Sequence, residues 1–279
     1  MSKSHTIEGG DQVKLHVHEA GKADGPAIVF IHGWSGSQAF WNLQKQSPLA
    51  DEFRLVCLDL RGHGMSEKPA AQEQYTDGKL WAEDVHAVIK ALELDKPVLL
   101  GWSYGGLLVL DYVRHYGQTG LSGLALVGPA IELSPDAFGP LIGPGFLNHA
   151  EGATVDNLQS NIDTLRSFAH TMAVKSVDRA YFEEAICWSV IVPHTVRGSL
   201  VAREVRNDDL LSEINLPVLV IQGQADTCAM PAVAERIDAL CSSAKVAWYP
   251  GVGHMPFAEE PERFNADLAE FVRAAAQSS

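Results

Sequence analysis

Four cysteines in 279 residues, none in C-x-x-C spacing, leave no disulfide framework and no thiolate metal cage to read. Long hydrophobic runs are also missing: nothing approaches the ~18 consecutive apolar residues that a membrane-spanning helix requires. The first six residues contain no apolar stretch, so no secretory signal is expected. Positive charge is scarce, with 21 Lys and Arg against 35 Asp and Glu, a formal charge of -14. So acidic a surface is ill suited to nucleic acid or an anionic membrane, and suits solubility. The H-E-x-x-H, Walker and dinucleotide fingerprints are all absent, so neither a metal nor a cofactor is expected. There is no internal repeat and no low-complexity tract. These absences imply a reduced, cytoplasmic globular protein that acts on a small molecule.

Short apolar runs alternate with helical patterns. Residues 26–31, 54–58, 97–100, 123–127, 217–221 and 245–248 read as strands, most of them too continuous to be half-exposed. Trp81, Val85, Val88, Ile89 and Leu92 repeat at helical spacing, as do Phe264, Leu268, Phe271 and Val272 after Pro261. The alternation predicts an α/β fold with a mostly parallel central sheet flanked by helices. Residues 13–18 follow a Gly9-Gly10-Asp11 turn signal, which suggests an N-terminal hairpin. One interval breaks the pattern. Residues 131–213 contain no convincing strand and too many residues for a loop. They read as a helical cap inserted into a core formed by residues 1–130 and 214–279. The cap aromatics Phe138, Phe146, Phe168, Tyr181, Phe182 and Trp188, foremost Phe138, Phe146 and Trp188, are candidates to line an apolar substrate pocket, though packing within the cap is the simpler use of any one of them.

Gly101-Trp102-Ser103-Tyr104-Gly105 lies between a predicted strand and a predicted helix, the context of a G-x-S-x-G nucleophile elbow. A serine hydroxyl is a poor nucleophile at neutral pH. It needs a base, a carboxylate to orient that base, and N–H donors for the developing oxyanion. Each has a candidate just past the carboxyl end of a predicted strand: His254 as base, Asp226 as orienting acid, and the backbone N–H groups of Trp34 and Tyr104 as oxyanion donors. Asp84 falls inside a predicted helix and Asp59 precedes a turn, so both are weaker than Asp226 as the acid. Cys228 is better explained by packing than by redox chemistry, and His194 by cap exposure than by substrate contact. His16 and His18 share a strand face, but two histidines without a third ligand make a poor metal site.

With those residues in place, the chain resembles the α/β-hydrolase superfamily, in particular its serine carboxylesterases and lactonases. The resemblance spans nearly the whole length. It rests on His32-Gly33-Trp34, on Asp59-Leu60-Arg61-Gly62-His63-Gly64-Met65-Ser66, on the elbow, on Gly223 to Asp226, and on Gly253-His254. It implies that His32 braces an oxyanion loop and that Arg61 and His63 are structural. A serine at the elbow argues against the dehalogenases and epoxide hydrolases that use aspartate there. The Gly-Trp-Ser and His-Gly-Trp pair also resembles carboxylesterases that cleave pimeloyl-carrier methyl esters. The implied activity is hydrolysis of a small-molecule carboxylic ester or lactone through an acyl-enzyme. C–C bond hydrolysis of a diketone by the same triad, or a non-catalytic ligand receptor on this fold, are the alternatives.

Overall fold

The computed structural model describes residues 2–277. Eight strands form one sheet: β1 (Ser2–Glu8), β2 (Lys14–Gly21), β3 (Ala27–Ile31), β4 (Arg54–Leu58), β5 (Val98–Trp102), β6 (Gly123–Val127), β7 (Val218–Gly223) and β8 (Ala244–Tyr249). Their order is β1-β2-β4-β3-β5-β6-β7-β8. β2 pairs antiparallel with both β1 and β4, and every other pairing is parallel. The chain leaves β1 through Gly9 and a short 3-10 turn at Gly10–Gln12, in which Asp11 and Gln12 take positive φ. The connection is therefore longer than a two-residue hairpin turn, and β1 precedes the Gly-Gly signal.

The longer helices are α1 (Gly78–Ala91), α2 (Tyr104–Tyr116), α3 (Pro144–Thr154), α4 (Leu158–Met172), α5 (Arg179–Val190), α6 (His194–Val201), α7 (Asp208–Glu213), α8 (Ala232–Leu240) and α9 (Pro261–Gln277). Trp81, Val85 and Val88 of α1 and Phe264, Leu268 and Val272 of α9 are buried, as their spacing predicts. The middle strands need cover on both faces. Every residue of β3, β5 and β6 is buried, so apolar runs rather than alternation mark them. The segment between β6 and β7 holds α3 to α7 and only isolated bridges, among them Leu133 with Val205. Among the described residues no helix is long and apolar enough to cross a membrane. All four cysteines are free; Cys57 is fully buried in β4, and burial pushes its thiol up to about 12.

Candidate active site

The strand-to-helix turn between β5 and α2 puts Ser103 at φ 55° and ψ -119°, a conformation costly for a non-glycine residue. Its backbone is pinned on both sides. The Ser103 N–H donates to the Val127 carbonyl at 3.0 Å, and the Ser103 carbonyl accepts from Gly106 at 2.9 Å and Ala130 at 2.8 Å. The flanking glycines are required by crowding. A Cβ on Gly101 would lie 2.4 Å from the Gly105 carbonyl oxygen, and one on Gly105 would lie 2.5 Å from that of Ile31.

His254 and Asp226 follow β8 and β7 and meet at the same sheet edge. His254 Nδ1 and Asp226 Oδ2 are 2.7 Å apart, and both side chains are almost wholly buried. A carboxylate only accepts, so the neutral imidazole carries its proton on Nδ1 and keeps the Nε2 lone pair free. Asp226 is itself oriented. Its Oδ1 accepts from the Cys228 and Ala229 N–H groups at 2.8 and 3.1 Å, and its Oδ2 from Gln222 Nε2 at 3.3 Å. The His254 loop is tied down from several directions. The Trp102 indole donates to the His254 carbonyl at 2.9 Å, and the His254 N–H donates to Met172 O at 2.7 Å. Glu259, unmarked by any motif, accepts from the Gly253, Val174 and Lys175 N–H groups and so joins this loop to the end of α4. The only signal available for it was a glutamate just beyond His254, in Met255-Pro256-Phe257-Ala258-Glu259.

The rival carboxylates are otherwise engaged. Asp84 forms a bidentate ion pair with Arg61, both contacts at 2.7 Å and both side chains fully buried. Asp59 binds His16 Nδ1 at 2.8 Å and the Gln38 and Met65 N–H groups. His32 Nε2 accepts from the Leu60 N–H at 3.2 Å, which leaves Nδ1–H to donate to Gly33 O at 2.8 Å. Complete burial lowers this imidazole to about 4 and keeps it neutral, so His32 clamps the loop that carries Trp34. Neither the Trp34 nor the Tyr104 N–H has an acceptor among the described residues.

Gly33, Trp34, Ser103, Tyr104 and His254 line one narrow cavity of about 50 Å³. The rest of its wall is mostly apolar. Phe146 and Phe168 stand edge-on to Trp34, with centroids at 5.2 and 5.7 Å, and Ile142, Met172 and Val201 contribute further. Of the cap aromatics, Phe146 and Phe168 reach this wall. Phe138 is 38% exposed in the loop before α3, and Trp188 lies on α5 with its indole N–H against Glu184. Neither lines the cavity; the loop that carries Phe138 reaches it through Leu141 and Ile142 instead. Phe168, another of the cap aromatics, does line it, whereas nothing in the sequence marks Met172, because an apolar helix face looks the same over a core and over a pocket.

Asp226, Cys228 and His254 bring one potential metal-donor atom each within 4.8 Å of one another. Burial pushes the Cys228 thiol well above its ordinary range, which opposes the thiolate a metal requires, and the other two donors already bind each other.

Comparison with known proteins agrees with this architecture. A candidate aryl esterase from Burkholderia cenocepacia is similar at TM-score 0.92 and 35% identity, over 99% of this chain and all of its own. The esterase RhEst1 from Rhodococcus sp. ECU1013 is similar at TM-score 0.91 and 29% identity, over 98% of this chain and 99% of its own. A pimeloyl-[acyl-carrier protein] methyl ester esterase from Nitrosospira multiformis is 27% identical, over 94% of this chain and 99% of its own. The profile of the alpha/beta hydrolase fold matches residues 26–261, which covers the elbow, the acid loop and the histidine loop, and the chain belongs to the α/β-hydrolase family.

Proposed function

We propose that the protein is a serine hydrolase that cleaves a small-molecule carboxylic ester or lactone through an acyl-enzyme. The observation that carries this reading is the buried Asp226–His254 pair at 2.7 Å, which shares its cavity with a serine on a strained elbow. In the first half-reaction His254 Nε2 takes the Ser103 proton as Oγ attacks the ester carbonyl carbon. The carbonyl π electrons move onto oxygen, which the Trp34 and Tyr104 N–H groups hold. Collapse breaks the bond to the alcohol oxygen, and His254 returns the proton to that leaving group. Water, deprotonated by His254, then attacks the acyl carbon and releases Ser103 and the acid. Asp226 fixes the tautomer and stabilises the imidazolium. The helical segment 131–213 serves as the cap of a core formed by 1–130 and 214–279, and supplies the apolar wall. So apolar a wall suits an apolar acyl or alcohol group.

The related esterases support the class of substrate, since two similar solved structures are named as esterases. Ser103→Ala should lower kcat on a p-nitrophenyl short-acyl ester by about 10⁴–10⁶. Activity above a tenth of the parent protein's would remove Ser103 as nucleophile.

A further inference from the structure

The two residues assigned to the oxyanion hole are separated by 70 positions of chain, yet their side chains end on the same helix. The Trp34 indole N–H donates to the Arg197 carbonyl at 3.1 Å. The Tyr104 hydroxyl donates to the Leu200 carbonyl at 3.3 Å. Arg197 and Leu200 are three residues apart in α6, so these two acceptors lie along one face of it. Burial pushes the Tyr104 phenol up to about 12, so it remains a donor throughout the neutral range.

α6 is in turn fixed to the rest of the helical layer by the side chain of Arg197. This guanidinium is almost fully buried and has no carboxylate partner among the described residues. It donates instead to the carbonyls of Ala153, Ser189 and Val192 and to Asn161 Oδ1, and so ties together α3, α4 and the end of α5. At the other end of α6, Arg203 forms a bidentate pair with Asp111 of α2 at 2.9 and 3.0 Å. The same guanidinium lies 5.9 Å from the Tyr104 ring centroid. A single helix thus receives the positions of its neighbours through Arg197 and passes them to two backbone donors through Trp34 and Tyr104.

We propose that α6 is the positioning element of the oxyanion hole, with the side chains of Trp34 and Tyr104 acting as the tethers that set their own backbone N–H groups. This rests on the ester-hydrolase reading above. It makes turnover depend on where the helical layer sits, beyond any contact that layer makes with substrate. An oxyanion donor removed outright costs about 10²–10³ in kcat, so a donor displaced by a lost tether should cost less.

Tyr104→Phe deletes one oxygen and keeps the ring and the backbone N–H; Trp34→Phe deletes the indole donor. Each should lower kcat on a p-nitrophenyl ester by about two- to tenfold with KM changed less than twofold. Affinity for a trifluoromethyl ketone, which forms an oxyanion on Ser103, should fall by the same factor. Binding of the isosteric alcohol, which forms none, should be unchanged. The pair should be non-additive, because both tethers hang from one helix. If either variant melts lower yet keeps kcat and ketone affinity, the tethers are only structural and the proposal is overturned. A rise in KM at constant kcat overturns it as well. A fluorophosphonate probe separates this from the parent reading. If the unsubstituted protein is not labelled at Ser103, the hydrolase reading fails and the proposal falls with it. If it is labelled, and both variants are labelled equally fast, only the proposal fails.

Discussion

Asp226 holds two kinds of partner on opposite sides of its carboxylate, backbone N–H donors at Oδ1 and the His254 ring at Oδ2. Asp226→Asn cannot satisfy both. Its single carbonyl oxygen will turn to the Cys228 and Ala229 N–H groups, which can only donate, and its NH₂ will then face His254 Nδ1. That arrangement makes Nδ1 an acceptor and moves the proton to Nε2, the atom that must take the serine proton. We expect kcat to fall by roughly 10³–10⁴ while the melting temperature changes by only a few degrees. A tenfold loss or less in steady-state kinetics would show that tautomer control by Asp226 is not needed. Residue chemistry of this kind was legible in the sequence because Ser103, Asp226 and His254 each follow an apolar strand run at a recognisable turn. Glu259 and Arg197 were not legible. A buried charge whose partners are backbone amides or carbonyls leaves no complementary residue at any fixed spacing.

The elements converge where their carboxyl ends meet, and Gly128, at the end of β6, shows how little room is left there. It has φ +43°, and a Cβ would lie 3.1 Å from both Asp226 Oδ2 and His254 Nδ1. Gly128→Ala should therefore have two separable effects. The positive φ costs roughly 1–2 kcal/mol of stability, read from the denaturant midpoint. The added methyl presses on the acid–base pair, and kcat should fall at least tenfold even where the variant is fully folded. Loss of stability alone, with kcat intact, would mean that the pair can move aside without consequence. The six strands from β3 to β8 were readable to within one or two residues. β3 to β7 are almost wholly buried and so apolar nearly throughout. The edge strand β8, of which only Tyr249 is buried, still carries the apolar run Val246-Ala247-Trp248. β1, exposed on most of its length, and β2, which alternates, carry no such run. The helical segment between β6 and β7 was visible as helix, but which of its faces lines the cavity was not. Phe146 and Phe168 face Trp34, whereas Phe138 is exposed and Trp188 is half-buried away from the cavity, and all four are aromatic in the chain.

For the whole molecule, the two fully buried histidines beside the loop that carries Trp34 set a lower limit on the pH at which the fold is secure. Burial depresses His32 to about 4 and His63 to about 3, from an ordinary value near 6.5. Both are therefore neutral in the folded state at neutral pH. When the pH drops below 6.5 the unfolded chain takes up these protons first, so folding stability is full above 6.5 and is lost progressively toward the folded values. At pH 5 each group costs about 2 kcal/mol, a large share of an ordinary 5–15 kcal/mol total. His63 offers a clean control. The Arg61 carbonyl can only accept, so Nδ1 donates to it at 2.9 Å, while Nε2 has no partner among the described residues. His63→Asn can keep that donation and does not titrate. Urea unfolding of the parent protein and of this variant, compared between pH 7 and pH 5, should show the parent losing stability more steeply by close to one proton. The variant starts lower at pH 7 because a smaller side chain leaves space beside His32, whose ring lies 5.2 Å from that of His63. Equal slopes in the two proteins would mean that His63 is protonated without unfolding. The acid limit would then belong to His32 and to the loop that holds Trp34.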